Sequence, residues 1–430
     1  MQKYNWMLCL MFILGVSKTD AQTQKGFKID TTQLYATYCY LHQNPELSGS
    51  EIETSSLLKR ELSALGFTIV DSLGLNSFAG VLKNGKGPTI LYRTDMDALP
   101  ILETTGIGFA SSKTDNSKGR QIPIMHACGH DFHMTTWLGV AKTLVASKNK
   151  WKGTVIFLAQ SSEETGQGAK GIVKASNYAK LPKPDYQLAI HDTPDLLTGS
   201  FGFCDEYSMA AVDMMNITIH GRGGHGAEPF KTIDPILLSA NFIQELQSIV
   251  SRNLAFNNPA VITVGAINGG TVGNIIPNSV ELKLTIRTFS PENRTYVLKR
   301  IEEIGNNLAL AAGLNENELP SYELLDMSIP PVYNNPALGK LLQKSISNTS
   351  KSNSIVTVLP KMIGEDFGIY SNSNTIPSYL IWTGVKSPDN KDQNTSGSLH
   401  ASSFLPDYKS ALPLTVDAIT NCLIDLFIKN

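Results

Sequence analysis

Apolar residues along this chain fall into two textures. Up to about Val212 they form short unbroken runs: Thr89–Tyr92, Thr154–Ala159 and Gln187–Ile190. Runs of that length without polar alternation mark strands buried on both faces, as in a parallel sheet covered by helices. Helical patterns separate them over Thr31–Leu41, Glu51–Leu65 and about Phe132–Ser147, with Gly66 placed to close the second. The alternation predicts a three-layer α/β domain with a mostly parallel sheet.

A second texture occupies residues 213–326. Over Ser279–Thr288, Val280, Leu282, Leu284 and Ile286 alternate with Glu281, Lys283, Thr285 and Arg287, which is a sheet with one wet face. Met214–His220, Ala260–Ile267 and Tyr322–Asp326 read as further strands, Asp234–Arg252 and Pro291–Ala312 as helices. The order βαββαβ is ferredoxin-like. A self-contained unit of this kind reads as an insertion that splits the first domain into residues 28–212 and 327–430. Beyond Pro330 the first texture returns with Leu338–Ser347, Tyr379–Trp382 and Leu412–Ile428, while Ser345–Ser354 and Lys386–Ser398 read as loops.

The apolar run Trp6–Val16 follows Lys3 and precedes Thr19-Asp20-Ala21. It is shorter than the roughly 20 residues a spanning helix needs, and it suits the core of a signal peptide. Residues 1–21 are therefore expected to be removed. The mature chain would be exported, periplasmic or secreted, with no membrane span left. Among 430 residues, 42% are hydrophobic and 17% charged, which describes a folded chain with a sizeable core. The formal charge of −2 without a lysine/arginine run excludes a nucleic-acid binder held by phosphate contacts. Outside the leader, Cys39, Cys128, Cys204 and Cys422 are too sparse for a disulfide scaffold. A bridge among Cys39, Cys204 and Cys422 stays open.

Chemistry collects after the buried strands. Arg93-Thr-Asp95-Met-Asp97 follows the first, Gln160-Ser-Ser-Glu163-Glu164 the second and His191-Asp192 the third. Ligands bind beyond the carboxyl ends of strands in such sheets. The helix near Phe132 is preceded by His126-Ala-Cys128-Gly-His130-Asp131-Phe-His133, in which Gly129 frees the backbone. Thiolate, imidazole and carboxylate converging on one edge suit a first-row divalent metal. Cys128, His130, Glu164 and His191, with His400 as a fifth, exceed the three protein ligands of one open catalytic zinc, so two ions are expected. Glu163, beside them, fits a proton shuttle.

Arg93–Pro100, His126–His133, Glu163-Glu164 and Gly223-Gly-His225-Gly-Ala-Glu-Pro229 resemble the amidohydrolase branch of the aminoacylase/glutamate-carboxypeptidase metallopeptidase family. Hippurate hydrolases, auxin-conjugate hydrolases and N-acetyl-diaminopimelate deacetylases belong to that branch. The resemblance runs from about Leu41 to His400. It implies a two-metal catalytic domain with an inserted lid through which the protein forms a homodimer. It assigns Cys128, His130, Glu164, His191 and His400 to the metals, manganese or zinc with cobalt and nickel open, and Glu163 to the general base. Asp97 matches an aspartate that orients a ligand, and Asp95 is a weaker candidate. His225 matches a residue that stabilises the oxyanion in a partner's site, and Asn274 a substrate contact. Arg287 is a candidate for a substrate carboxylate. Glu365-Asp366-Phe367 resembles a motif near the floor of the site and receives no role. Ser161-Ser162 stand where the family carries a proline, and Asp192-Thr193-Pro194 vary its usual apolar continuation. The reaction expected is amide hydrolysis of an N-acyl amino acid or short peptide by metal-activated hydroxide. A Cys128-dependent hydrolase and a non-catalytic metal- and ligand-binding protein are the rivals.

Overall fold

The structure is a computed structural model that describes residues 26–116, 119–349, 354–371, 375–389 and 397–428. The expected signal peptide lies outside the described residues. In chain order the main elements are α1 (Thr31–Gln43), α2 (Ile52–Ala64), β1 (Thr68–Val70), β2 (Phe78–Asn84), β3 (Thr89–Asp95), α3 (His130–Ala146), β4 (Gly153–Gln160), α4 (Gly168–Lys174), β5 (Tyr186–Leu197) and β6 (Ser200–Phe203). Then follow β7 (Ala211–His220), α5 (Pro235–Ser248), β8 (Ala260–Asn268), β9 (Ser279–Thr288), α6 (Pro291–Ala311) and β10 (Ser321–Leu324). The chain closes with α7 (Pro336–Ser347), β11 (Ser354–Thr357), β12 (Ser378–Lys386) and α8 (Tyr408–Ile428).

The large sheet has the order β1-β2-β4-β3-β5-β12-β6-β11. Its centre, β4-β3-β5-β12, is parallel throughout. β2 joins β4 antiparallel and β6 joins β12 antiparallel. The unbroken apolar run of β4 has the expected cause. Val155 and Phe157 enter the core beneath α1, α3 and α8, while Ile156 and Leu158 enter the opposite core with Ala169 and Ile172 of α4. α3 is buried nearly all round, as a helix enclosed by sheet and helices must be. α8 is long and apolar enough to cross a membrane, but here it packs against α3 and α7 as a core helix.

Strands β7–β10 form a separate antiparallel sheet in the order β8-β9-β7-β10. The apolar side of β9 faces α5 and α6 in a core of its own. Asp234 caps α5 by accepting the Ile236 N–H at 2.8 Å, and Pro235 sits at the first helical position. The insertion enters and leaves through one antiparallel bridge. Val212 N–H donates to the Ile329 carbonyl at 3.1 Å and Ile329 N–H to the Val212 carbonyl at 3.0 Å. No disulfide joins Cys39, Cys204 and Cys422 to one another, so none of the bridges left open is formed.

α1 and α3 are joined by a buried histidine. His42 lies 2.6 Å from Asp131 and 3.0 Å from Glu103. Burial alone would lower its pKa, but the two carboxylates outweigh that and push it from 6.5 up to about 9. A pKa raised on folding stabilises fully below the unfolded value and is lost as pH rises through the folded one. Unfolding free energy should therefore fall by roughly 3 kcal/mol between about pH 6.5 and 9 through this group. Urea titrations of wild type and His42→Gln across that range check it, because the variant should lose this part of the slope.

Candidate metal centre

Because β3, β4 and β5 are parallel, their carboxyl ends meet at one edge. β3 ends at Asp95, two residues before Asp97, and β4 ends at Gln160, three residues before Glu163. His191 lies within β5 rather than after it, since the strand runs on to Leu197. α3 begins at His130. Gly129 ahead of it has φ +75°, and a Cβ there would fall 2.3 Å from the Asp192 carboxylate. Glycine is required on both counts.

Hydrogen bonding separates the histidines into kinds. A backbone carbonyl can only accept, so His130 Nδ1 donates to the Asp97 carbonyl at 2.7 Å and His191 Nδ1 to the Asp192 carbonyl at 2.8 Å. Each ring thereby offers the lone pair of Nε2 to the cleft, the arrangement of a metal ligand. His133 has both nitrogens engaged, Nδ1 with Asp95 at 2.7 Å and Nε2 with Asp192 at 3.1 Å. It is a strut between the two aspartates, with no nitrogen left for the cleft. His126 is buried without a partner on either nitrogen among the described residues, and burial lowers its pKa to about 4, so it is neutral.

Cys128 Sγ lies 3.6 Å from His191 Nε2 and 3.2 Å from His400 Nε2. Two close triads result, Cys128/His130/His191 and Cys128/Glu164/His400, and they share the thiol. His130 Nε2 and Glu164 Oε1 are buried, stand 3.9 Å apart and have no hydrogen-bond partner among the described residues, with His400 Nε2 at 3.5 Å from Glu164. Orphaned acceptors of this kind are costly in a protein interior unless a cation takes their lone pairs. Metal bonds of about 2.0–2.3 Å to N, O and S match the spacing of such a cluster. The donor set therefore fits divalent ions held by Cys128, His130, Glu164, His191 and His400. The five expected ligands are brought together.

Glu163 stands beside this cluster. Burial first, then the neighbouring carboxylates Glu365, Glu164 and Asp366, hold its carboxyl well above the usual range. Asp97 fixes the backbone of the pair, accepting Glu163 N–H at 3.1 Å and Glu164 N–H at 3.0 Å, with Ser48 Oγ donating at 2.6 Å. Cys128 does not suit a nucleophile. Burial and Glu164 push its thiol well up, the opposite of an activated cysteine.

Sequence reasoning placed Glu365-Asp366-Phe367 near the floor but missed how the floor is built. Arg93 is fully buried and forks between Asp95 at 2.8 Å, Glu365 at 2.9 Å and Asp366 at 3.1 Å, with Gln160 on Nε at 3.1 Å. Tyr370 donates to the same Gln160 oxygen. A buried arginine among three acids was visible in the motif Arg93-Thr-Asp95 only from one side, because Glu365 and Asp366 arrive from 272 and 273 residues away. Asp95 thus serves Arg93 and His133 rather than the cleft.

A cleft of about 520 Å³ opens above the cluster between the two sheets. Four of the eight methionines beyond residue 25 line it, Met209, Met214, Met327 and Met362, together with Val212, Ile329, Ile363 and Leu399. Arg287 lines it too, half-buried, bonded only to Thr285 and the Ile286 carbonyl, and it forms no ion pair among the described residues. His225 and Asn274 do not reach this cleft. They sit together on the exposed surface of the inserted domain, where Gly226 N–H donates to the Asn274 carbonyl at 2.8 Å.

A parallel sheet delivering thiol, imidazole and carboxylate to one edge, beneath an inserted antiparallel domain, defines a metal-dependent hydrolase. The chain belongs to the peptidase family M20/M25/M40, whose model matches residues 91–412. It is 36% identical over 339 residues to an N-acetyl-L-cysteine deacetylase of Bacillus subtilis, covering 79% of this chain and 77% of that protein. It is 34% identical to an N-acetyldiaminopimelate deacetylase of Lactobacillus acidophilus, covering 90% and 96%. Among solved structures it matches a dinuclear metal binding peptidase of the M20 family from Bacillus subtilis with a TM-score of 0.77 and 28% identity, over 93% of this chain and 99% of that one.

Proposed function

We propose that the protein hydrolyses the amide bond of N-acyl amino acids. The observation that carries this reading is the juxtaposition of Glu163 with the orphaned donors of the metal cluster, in a cleft that also holds an unpaired arginine. Divalent ions at the cluster supply Lewis acidity toward the amide carbonyl and toward water. Glu163 takes the proton of the attacking water and returns it to the leaving nitrogen. Arg287 receives the carboxylate of the amino acid through its planar fork. The methionine-rich wall accepts the apolar remainder of the substrate, since thioether side chains adapt to varied shapes. The deacetylase relatives support a small-molecule acyl amino acid over a long peptide.

The protein acts as a homodimer in this reading. His225 and Asn274 lie beside exposed Val272 and Ile275, and Phe230 on the same domain is 79% exposed. An apolar face of this kind suits a second copy, which would bring the partner subunit's His225 to the developing charge on the carbonyl oxygen.

Purified protein freed of residues 1–21 should hydrolyse members of a panel of N-acetyl, N-benzoyl and longer N-acyl amino acids. Chelator should abolish turnover, and one of Mn²⁺, Zn²⁺, Co²⁺ or Ni²⁺ should restore it. Stoichiometric metal binding with no turnover on any member would refute the reading and favour a binding protein.

A further inference from the structure

The glutamate pair leaves β4 through a strained turn. Ser162, directly before Glu163, has φ +57°, a left-handed conformation that costs a side-chain-bearing residue about 1–2 kcal/mol. It is 2% exposed and persists only if its surroundings hold it. Two groups do so. The Glu51 carboxylate accepts Ser162 N–H at 2.8 Å, and Ser77 Oγ accepts Ser161 N–H at 2.9 Å. Both bonds depend on the serine amides, and a proline at position 162 would have no N–H to offer Glu51.

Glu51 has no other evident task. It is fully buried and precedes α2 without capping it. Its first oxygen also accepts Gly49 N–H at 2.9 Å, and its second accepts the Asn76 amide at 3.1 Å. The same short segment carries Ser48, whose hydroxyl holds Asp97, and Asp97 holds the amides of Glu163 and Glu164. Three successive amides of the turn are thus held, Ser162 by Glu51 directly and Glu163 and Glu164 by Asp97, which Ser48 supports.

We infer that Glu51 is a positioning residue for Glu163: it keeps Ser162 left-handed, and so fixes where the proton-transferring carboxylate stands. The inference rests on the function proposed for Glu163. A misplacement of about 1 Å at a reacting group costs about 10²-fold in rate. Glu51→Ala should accordingly lower kcat by about 10²-fold with KM nearly unchanged. Glu51→Gln keeps an acceptor for the Ser162 amide and should retain most activity. The decisive variant is Ser162→Gly in the Glu51→Ala background. Glycine adopts positive φ freely, so it should recover about tenfold of the lost kcat, whereas a loss of general stability would gain nothing from it. In metal-free protein, amide hydrogen exchange over residues 161–164 should quicken in Glu51→Ala, whatever reaction the enzyme catalyses. Wild-type kcat in Glu51→Ala, or no recovery by Ser162→Gly, would overturn the brace. Quickened exchange in a protein whose wild type hydrolyses no acyl amino acid would instead overturn the proposed function and leave the brace standing.

Discussion

Glu163→Gln should abolish nearly all turnover, by about 10²–10⁴-fold, while the protein still binds its full complement of divalent metal. Glutamine matches glutamate in size and can still accept a hydrogen bond, but it cannot take a proton. The metal cluster is made by other residues, and Glu163 is placed by its own backbone amide on Asp97, which the substitution does not touch. Metal content and kcat measured on the same sample separate the two roles. Loss of metal with loss of rate would make Glu163 a ligand, and an undiminished rate would remove it from the mechanism. The variant also tests the dimer. If each site uses its own Glu163 and the partner subunit's His225, an equal mixture of Glu163→Gln and His225→Ala chains should regain about a quarter of wild-type activity after exchange of subunits. The heterodimer contains one intact site, and neither homodimer contains any. No recovery would place His225 outside the reaction or the dimer elsewhere.

Arg93→Met should destabilise the protein by about 3–5 kcal/mol, among the largest losses available to a single substitution. The methionine fills much of the volume but leaves Asp95, Glu365 and Asp366 buried around no positive charge. Burial already pushes Asp366 up to about 7 even with Arg93 beside it. Removing the guanidinium would force such groups to bind protons or to open the floor to water. Lysine should rescue little, because one ammonium cannot reproduce the fork to three carboxylates and Gln160. An exposed pair such as Lys59–Asp71 sets the contrast, since its removal should cost less than about 1 kcal/mol. Equilibrium urea unfolding of both variants decides it, and a loss below about 1 kcal/mol for Arg93→Met would contradict the account.

The strands legible in the sequence are those whose surroundings are simple. β3, β4, β5 and β12 are buried on two faces, so their apolar runs are continuous, and the alternation of β9 announces one wet face. β1, β2, β6 and β11 went unread. Three of them are only three or four residues long, and Gly80 interrupts the fourth. The candidate metal cluster was readable because Cys128 and His130 lie close together and Glu164 and His191 each follow an apolar run. What supports them was not, because it depends on pairings that no local pattern encodes. His133 looks like a ligand and proves to be a strut, and Glu51 looks like a helix start and proves to hold a turn 111 residues away. His225 and Asn274 illustrate the opposite limit: the motif was legible in the sequence, but the fold leaves both residues exposed and away from the cleft.

The single bridge between Val212 and Ile329 bears on how the chain is threaded. Ser378 must find Gln187 across 191 intervening steps of sequence before β12 can join β5. Long loops of unstructured chain make such closures slow. The inserted unit has its own core and returns its two ends to adjacent positions. Once collapsed, it behaves toward the parent sheet as a short link rather than a long loop. The sheet can thus carry the insertion at little entropic cost, and the same pair of ends marks the place where another compact unit could be spliced without changing the topology around it.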